Sequence, residues 1–170
     1  MPALTPPKGP ESGAAAPALG VPNQYGEQVE LQQLQGGPAL VMFYPFAFSR
    51  ICGGELGELV RSWDRVRRLG AQVAAVSCDS VHTLRAYAEE LRSQAAGELE
   101  GLHLLSDFWP HGEVCRRYQA FNPDRGAPHR VSVLLDADST VRHVIVSADD
   151  QPRSLSRTLR ALGEAAGEQR

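Results

Sequence analysis

The sequence predicts an α/β domain in which a central mixed sheet is flanked by helices. Three observations carry that expectation. Short apolar runs alternate with stretches of helical periodicity, the order that makes parallel crossovers. Two late apolar runs are instead separated by Asp136-Ala137-Asp138-Ser139, a hairpin signal that adds an antiparallel pair. Finally, 170 residues suit one domain rather than two, and 42% apolar residues build a core without a disulfide framework.

Residues 1–17 scatter Pro2, Pro6, Pro7, Pro10 and Pro17 among Ala, Gly and Ser. Such a composition buries little apolar surface and is expected to be a disordered leader, with residues 18–170 as the domain. Leu19 to Leu34 is turn-rich, with Asn23 and Gly26 at turn positions, and fits a small hairpin or edge strand. Ala39 to Tyr44 is a continuous apolar run stopped by Pro45, as in a strand buried on both faces. From Gly53 to Leu69, Leu56, Leu59, Val60, Trp63 and Val66 recur at helical spacing. Arg65, Arg67 and Arg68 complement the dipole at that helix's end, and Gly70 closes it. Ala71 to Cys78 is a second buried strand, after which Asp79 or Ser80 caps a helix through Leu91. A strand at Leu102–Leu105, a loop to Gly112 and a helical turn at Val114–Tyr118 follow. Strands at Val131–Leu135 and Val141–Val146 and a helix from Arg153 to Ala166 complete the chain. This order describes a thioredoxin-like arrangement.

Composition narrows the function. A net charge of −3 offers no basic face for nucleic acid. No apolar stretch approaches the ~20 residues of a membrane span, and Met1-Pro2-Ala3-Leu4 opens no signal-peptide pattern. A cytoplasmic protein without nucleic-acid or membrane partners is expected. Cys52, Cys78 and Cys115 are odd in number and widely spaced, with neither CxxC nor clustered histidines. They make no disulfide scaffold and no zinc site, and no metal or other cofactor is expected.

One reactive thiol with two bystanders is the reading to test. Cys52 falls in the first turn of a helix, beyond the carboxyl end of a central strand, where open α/β sheets place their sites. Unpaired backbone N–H groups and the positive dipole end stabilise a thiolate there. The competing reading is a buried, inert cysteine. Ser49, three residues earlier, can bring a hydroxyl near the sulfur or near an oxygen approaching it. Pro45 ends the strand and can wall the pocket.

Pro45, Ser49 and Cys52 fit P-x-x-x-[ST]-x-x-C, and the segment resembles the peroxidatic loop of the peroxiredoxins, in particular the actinobacterial alkyl hydroperoxide reductase E type. Leu105-Ser106-Asp107-Phe108-Trp109-Pro110-His111-Gly112 is similar to that type's loop. His129-Arg130-Val131-Ser132-Val133-Leu134-Leu135-Asp136 is similar to the strand bearing the family's active-site arginine, and Val76-Ser77-Cys78-Asp79-Ser80 to a common strand end. The similarity spans about residues 40–161.

The resemblance implies a thiol-dependent peroxidase that reduces hydrogen peroxide and organic hydroperoxides through a Cys52 sulfenic acid. It implies Arg130, the Ser49 hydroxyl and the Cys52 N–H as donors to the peroxide oxygens, with Pro45 excluding water. Phe48, Glu55 and Trp109 would line the substrate pocket, Glu55 either orienting an arginine or favouring the helix N-terminus. A homodimer is implied, with Phe108 and Trp109 at its interface or walling the pocket, core packing being the plain alternative. No cysteine follows Cys52 by five residues, so the implied reductant is external: a low-molecular-weight thiol or a thioredoxin- or glutaredoxin-like protein. Cys78 and Cys115 read first as core residues. Two departures stand out. Ser49 lacks the methyl of the family's frequent threonine, and Arg50 replaces a frequent glycine, either favouring anionic partners or simply being solvated. Two alternatives share these residues: a peroxide-sensing protein that signals through Cys52 oxidation, and a thioredoxin-like thiol-disulfide oxidoreductase. The missing CxxC counts against the latter.

Overall fold

The computed structural model describes residues 6–167. The expected small hairpin is present as β1 (Val21–Pro22) and β2 (Gln28–Val29), with Asn23 Oδ1 accepting from the N–H groups of Tyr25 and Glu27 in the turn. A single 3₁₀ turn, Leu31–Leu34, leads into the first core strand, β3 (Ala39–Phe43), whose five residues are all buried. Then come α1 (Arg50–Arg61), α2 (Trp63–Arg68), β4 (Gln72–Ser77) and α3 (Val81–Gln94), which Ser80 caps by accepting from Thr83 N–H. The second half holds β5 (Leu102–Ser106), α4 (Glu113–Arg117), a short pair β6 (Phe121–Asn122) and β7 (Ala127–Pro128), then β8 (Arg130–Leu135), β9 (Val141–Ser147) and α5 (Leu155–Ala165).

The main sheet has the order β5-β4-β3-β8-β9. β3, β4 and β5 run parallel, while β8 is antiparallel to both β3 and β9, so the sheet is mixed as expected. Period-two alternation sorts its side chains to two faces. Leu40, Met42, Tyr44, Val73 and Ala75 pack with α1, α3 and α5. Val41, Phe43, Ala74, Val76 and Cys78 pack on the other side, with α4 and the amino-terminal hairpin. That division decides which cysteines can meet.

Three boundaries differ from expectation. The predicted helix over residues 53–69 starts earlier, at Arg50, and breaks at Ser62, whose φ of −105° and ψ of 20° leave the helical range. Trp63 restarts the helix with its indole N–H on Glu100 O at 3.1 Å, an anchor that a continuous helix would have to aim differently. The last helix starts at Leu155 rather than Arg153, because Ser154 caps it and Arg153 turns into the core. The leader differs most. Its described part, residues 6–17, lies against the start of β9: Gly13 N–H donates to Val141 O, Ala16 N–H to Ser139 O, and Val141 N–H to Ala14 O. A Pro/Ala/Gly segment offers little apolar surface, yet its backbone can still cover an open sheet edge. Residues 1–5 fall outside the described residues.

Gly112 caps α4 with a φ of 75°, and a Cβ there would run into the Phe121 ring. Gly112→Ala is therefore expected to lower stability by about 1–2 kcal/mol or more from backbone conformation alone. Urea unfolding of the full chain measures this; an unchanged midpoint would show that the loop re-forms without cost.

Candidate active site

β3 ends at Phe43, and Tyr44 and the buried Pro45 carry the chain off the sheet beyond its carboxyl end. Ala47 N–H is tied to Asp79 Oδ2 at 2.8 Å, fixing this loop to the end of β4. Phe48 adopts a φ of 64°, costly for an aromatic residue, and its ring lies 4.9 Å from that of Tyr87 on α3. The turn that results presents Ser49 as the N-cap of α1. Its Oγ accepts from Cys52 N–H at 3.3 Å, which leaves Cys52 in the helix's first turn. The Cys52 N–H, expected as a donor to peroxide, is thus engaged by the cap in this structure.

Cys52 is fully buried, and Arg130 is 3% exposed. Arg130 Nη2 donates to Cys52 Sγ at 3.3 Å, while its Nη1 is paired with Glu55 Oε1. Its Nε donates to Asp149 O at 2.9 Å, so all three guanidinium nitrogens are held. Glu55, one helical turn after Cys52, orients two arginines rather than serving the helix end alone. Arg153 reaches it with both its backbone N–H (2.6 Å) and Nε (2.8 Å) on Oε2, and with Nη2 on Oε1 at 3.1 Å. Arg153 Nη1 continues to Phe43 O at 2.7 Å and Ser132 Oγ at 3.2 Å, tying the network into β3 and β8.

Two guanidiniums meet one carboxylate, which leaves one positive charge facing the Cys52 sulfur. Burial raises the phenol pKa of Tyr44 and Tyr87, members of the same apolar cluster as Cys52, so both stay protonated and add no negative charge.

These bonds bring Ser49, Cys52, Glu55 and Arg130 together, and the buried Pro45 lies in the loop between β3 and α1. Phe48 stands at the same loop, half exposed. Trp109 is 79% exposed and Phe108 53%, so neither packs in the core. Arg50 is exposed, in keeping with a solvated arginine. Arg153 was not singled out as a site residue from sequence; its partner Glu55 lies far away in the chain, and nothing local marks it for the core. Asp149 and His129 were also missed. His129 Nδ1 lies 3.1 Å from the Asp149 carboxylate, whose backbone carbonyl supports Arg130. A cavity of about 480 Å³ lies instead at the amino end of β5, lined by Asn23, Tyr25, Arg92 and Leu102 among others, and shares no residue with this cluster. No helix among the described residues is long and apolar enough to cross a membrane.

Comparison with known proteins agrees with the geometry. Residues 12–144 match the AhpC/TSA family. The chain is 32% identical over 140 residues to Peroxiredoxin Bcp of Escherichia coli (strain K12), covering 79% of this chain and 84% of that protein. It is 30% identical over 131 residues to Alkyl hydroperoxide reductase E of Mycobacterium bovis, covering 76% and 81%. In fold it is similar to the crystal structure of Enterococcus faecalis AhpC, with a TM-score of 0.78 and 19% identity over 91% of each chain. The chain belongs to the AhpC/TSA family of peroxiredoxins: it has a thioredoxin-like fold and is a thiol-dependent peroxidase.

Proposed function

From this membership we propose that Cys52 is the thiol that attacks hydroperoxide, hydrogen peroxide and organic hydroperoxides alike. The observation that carries the reading is the buried Arg130 Nη2 to Cys52 Sγ contact of 3.3 Å. The thiolate attacks the distal oxygen; the S–O bond forms, the O–O bond breaks, and an alkoxide or hydroxide leaves and takes up a proton. Negative charge moves from sulfur to the departing oxygen, so a fixed cation reaching past the sulfur favours the transition state over the ground state. Arg130 is that cation. The Ser49 hydroxyl, accepting from Cys52 N–H, keeps its own proton free to donate to an arriving oxygen. In this reading Pro45 excludes water from the sulfur, and Phe48 and Trp109 are the apolar groups assigned to an organic substrate. Glu55 positions Arg130.

The resulting sulfenic acid is attacked by an external thiol, from a small molecule or from a thioredoxin- or glutaredoxin-like protein. The S–S bond forms, water leaves, and a second thiol returns Cys52 to the reduced state. Internal resolution is opposed by the sheet: Cys52 packs on one face, Cys78 and Cys115 on the other. Odd, widely spaced cysteines support a reducing, cytoplasmic setting. The exposed rings of Phe46, Phe48, Phe108 and Trp109, at the carboxyl ends of the parallel strands, support a homodimer through this edge. We take residues 18–170 as the peroxiredoxin domain.

Stopped-flow oxidation of the reduced protein, followed by intact mass, tests the proposal. One equivalent of hydrogen peroxide, or of an organic hydroperoxide, is expected to leave a chain heavier by one oxygen, with no inter-chain disulfide on a non-reducing gel. Excess peroxide then drives Cys52 to the sulfinic acid. A disulfide joining Cys52 to Cys78 or Cys115 would overturn the external-thiol step and leave the peroxidase standing.

A further inference from the structure

Two nucleophiles have no part in this chemistry, and they lie together. Cys78 is the first residue after β4 and Asp107 the first after β5; the two strand ends are in register, with Asp107 N–H on Ser77 O at 2.8 Å. Asp107 is fully buried, and its carboxylate accepts from Val114 N–H at 3.1 Å and from Cys115 N–H at 2.8 Å. Those bonds fix the first turn of α4 and bring the Cys115 sulfur over the strand end. The Cys78 sulfur, the Cys115 sulfur and an Asp107 oxygen all lie within 4.8 Å of one another.

We infer that Cys78 and Cys115 are a second redox site, a dithiol that hydroperoxide closes to an intramolecular disulfide without Cys52. A metal fits less well. Only three donors cluster here among the described residues, and both Asp107 oxygens already hold backbone N–H groups. A disulfide needs only the two sulfurs, already within 4.8 Å, to close to the ~2 Å bond length.

Cys78, 8% exposed against none for Cys115, meets the oxidant first. Its sulfur takes the distal oxygen as the O–O bond breaks, and an alcohol, or water from hydrogen peroxide, leaves. The Cys115 sulfur then attacks Cys78; the S–S bond forms, the S–O bond breaks, and water departs with the Cys115 proton. Two thiols and one hydroperoxide thus give one disulfide, one alcohol and one water. Burial, the neighbouring Cys78 and the Asp107 carboxylate raise the Cys115 pKa and keep that thiol protonated, so the pair closes more slowly than Cys52 oxidises. The bond staples α4 to the end of β4 and records exposure to excess peroxide.

The test uses the full chain carrying Cys52→Ser, reduced, then held in excess hydrogen peroxide and treated with an alkylating agent. The expected product is a monomer lighter by two hydrogens, with both thiols blocked and a peptide joining Cys78 to Cys115. Wild-type protein taken past the Cys52 sulfinic acid is expected to show the same crosslink. Adding Cys78→Ser leaves Cys115 open to alkylation. Two thiols that stay alkylatable, oxygens added without a crosslink, or a disulfide between chains would each overturn the inference. Because Cys52 is absent from the first assay, its outcome is separate from wild-type peroxide consumption.

Discussion

Cys52→Ser is expected to abolish catalytic hydroperoxide reduction, on the order of a 10⁴-fold loss or more, as when a covalent nucleophile is removed elsewhere. The reason is chemical rather than structural. A serine hydroxyl stays protonated at neutral pH and forms no sulfenic acid, so the first bond-making step is missing. The fold should survive, because Arg130 Nη2 keeps an oxygen to donate to where it had the sulfur, and Glu55 still holds the guanidinium. Cys78→Ser and Cys115→Ser should keep the fast first oxidation, since both lie across the sheet from Cys52. Stopped-flow oxidation and turnover with an added thiol read all three variants. A Cys52→Ser protein that still turned over at the original rate would falsify the assignment of the nucleophile.

The nucleophile was legible because its markers are local in sequence. A strand-ending proline, a capping hydroxyl and a cysteine three residues on specify one turn, and Ser49 Oγ to Cys52 N–H is that turn realised. The sheet was legible for a similar reason: Ala39 to Phe43 and Val73 to Val76 are apolar on both faces, a pattern only central strands bear. Arg130 was found through resemblance, not through spacing. What stayed hidden is non-local. Arg153 serves a carboxylate 98 residues away, and an arginine bound for the core looks in sequence like one bound for solvent. Trp63, just past the break at Ser62, bonds a carbonyl at Glu100, and the leader pairs with an open sheet edge. The Cys78–Cys115 pairing likewise needs two strand ends in register before 37 residues of separation become a contact.

Arg130→Ala carries the other large effect, an expected slowing of Cys52 oxidation by on the order of 10²-fold or more, comparable to removing a preorganised oxyanion donor. The variant loses the cation facing the sulfur and, with it, one of the two partners of Glu55 Oε1. Glu55 does not become an orphan, because Arg153 holds both its oxygens, so the buried carboxylate stays paired and the fold is expected to persist. This separates a chemical loss from a folding loss, which a variant of Glu55 would not. Arg130→Lys adds a second reading. A lysine keeps the charge but lacks the planar fork that bonds Cys52, Glu55 and Asp149 at once, so it should recover only part of the rate. If stopped-flow oxidation of a folded Arg130→Ala protein ran at the wild-type rate, Arg130 would have no place in the chemistry. If lysine restored the full rate, charge alone would matter, and the three-way fixing of the guanidinium would be a feature of stability rather than of catalysis.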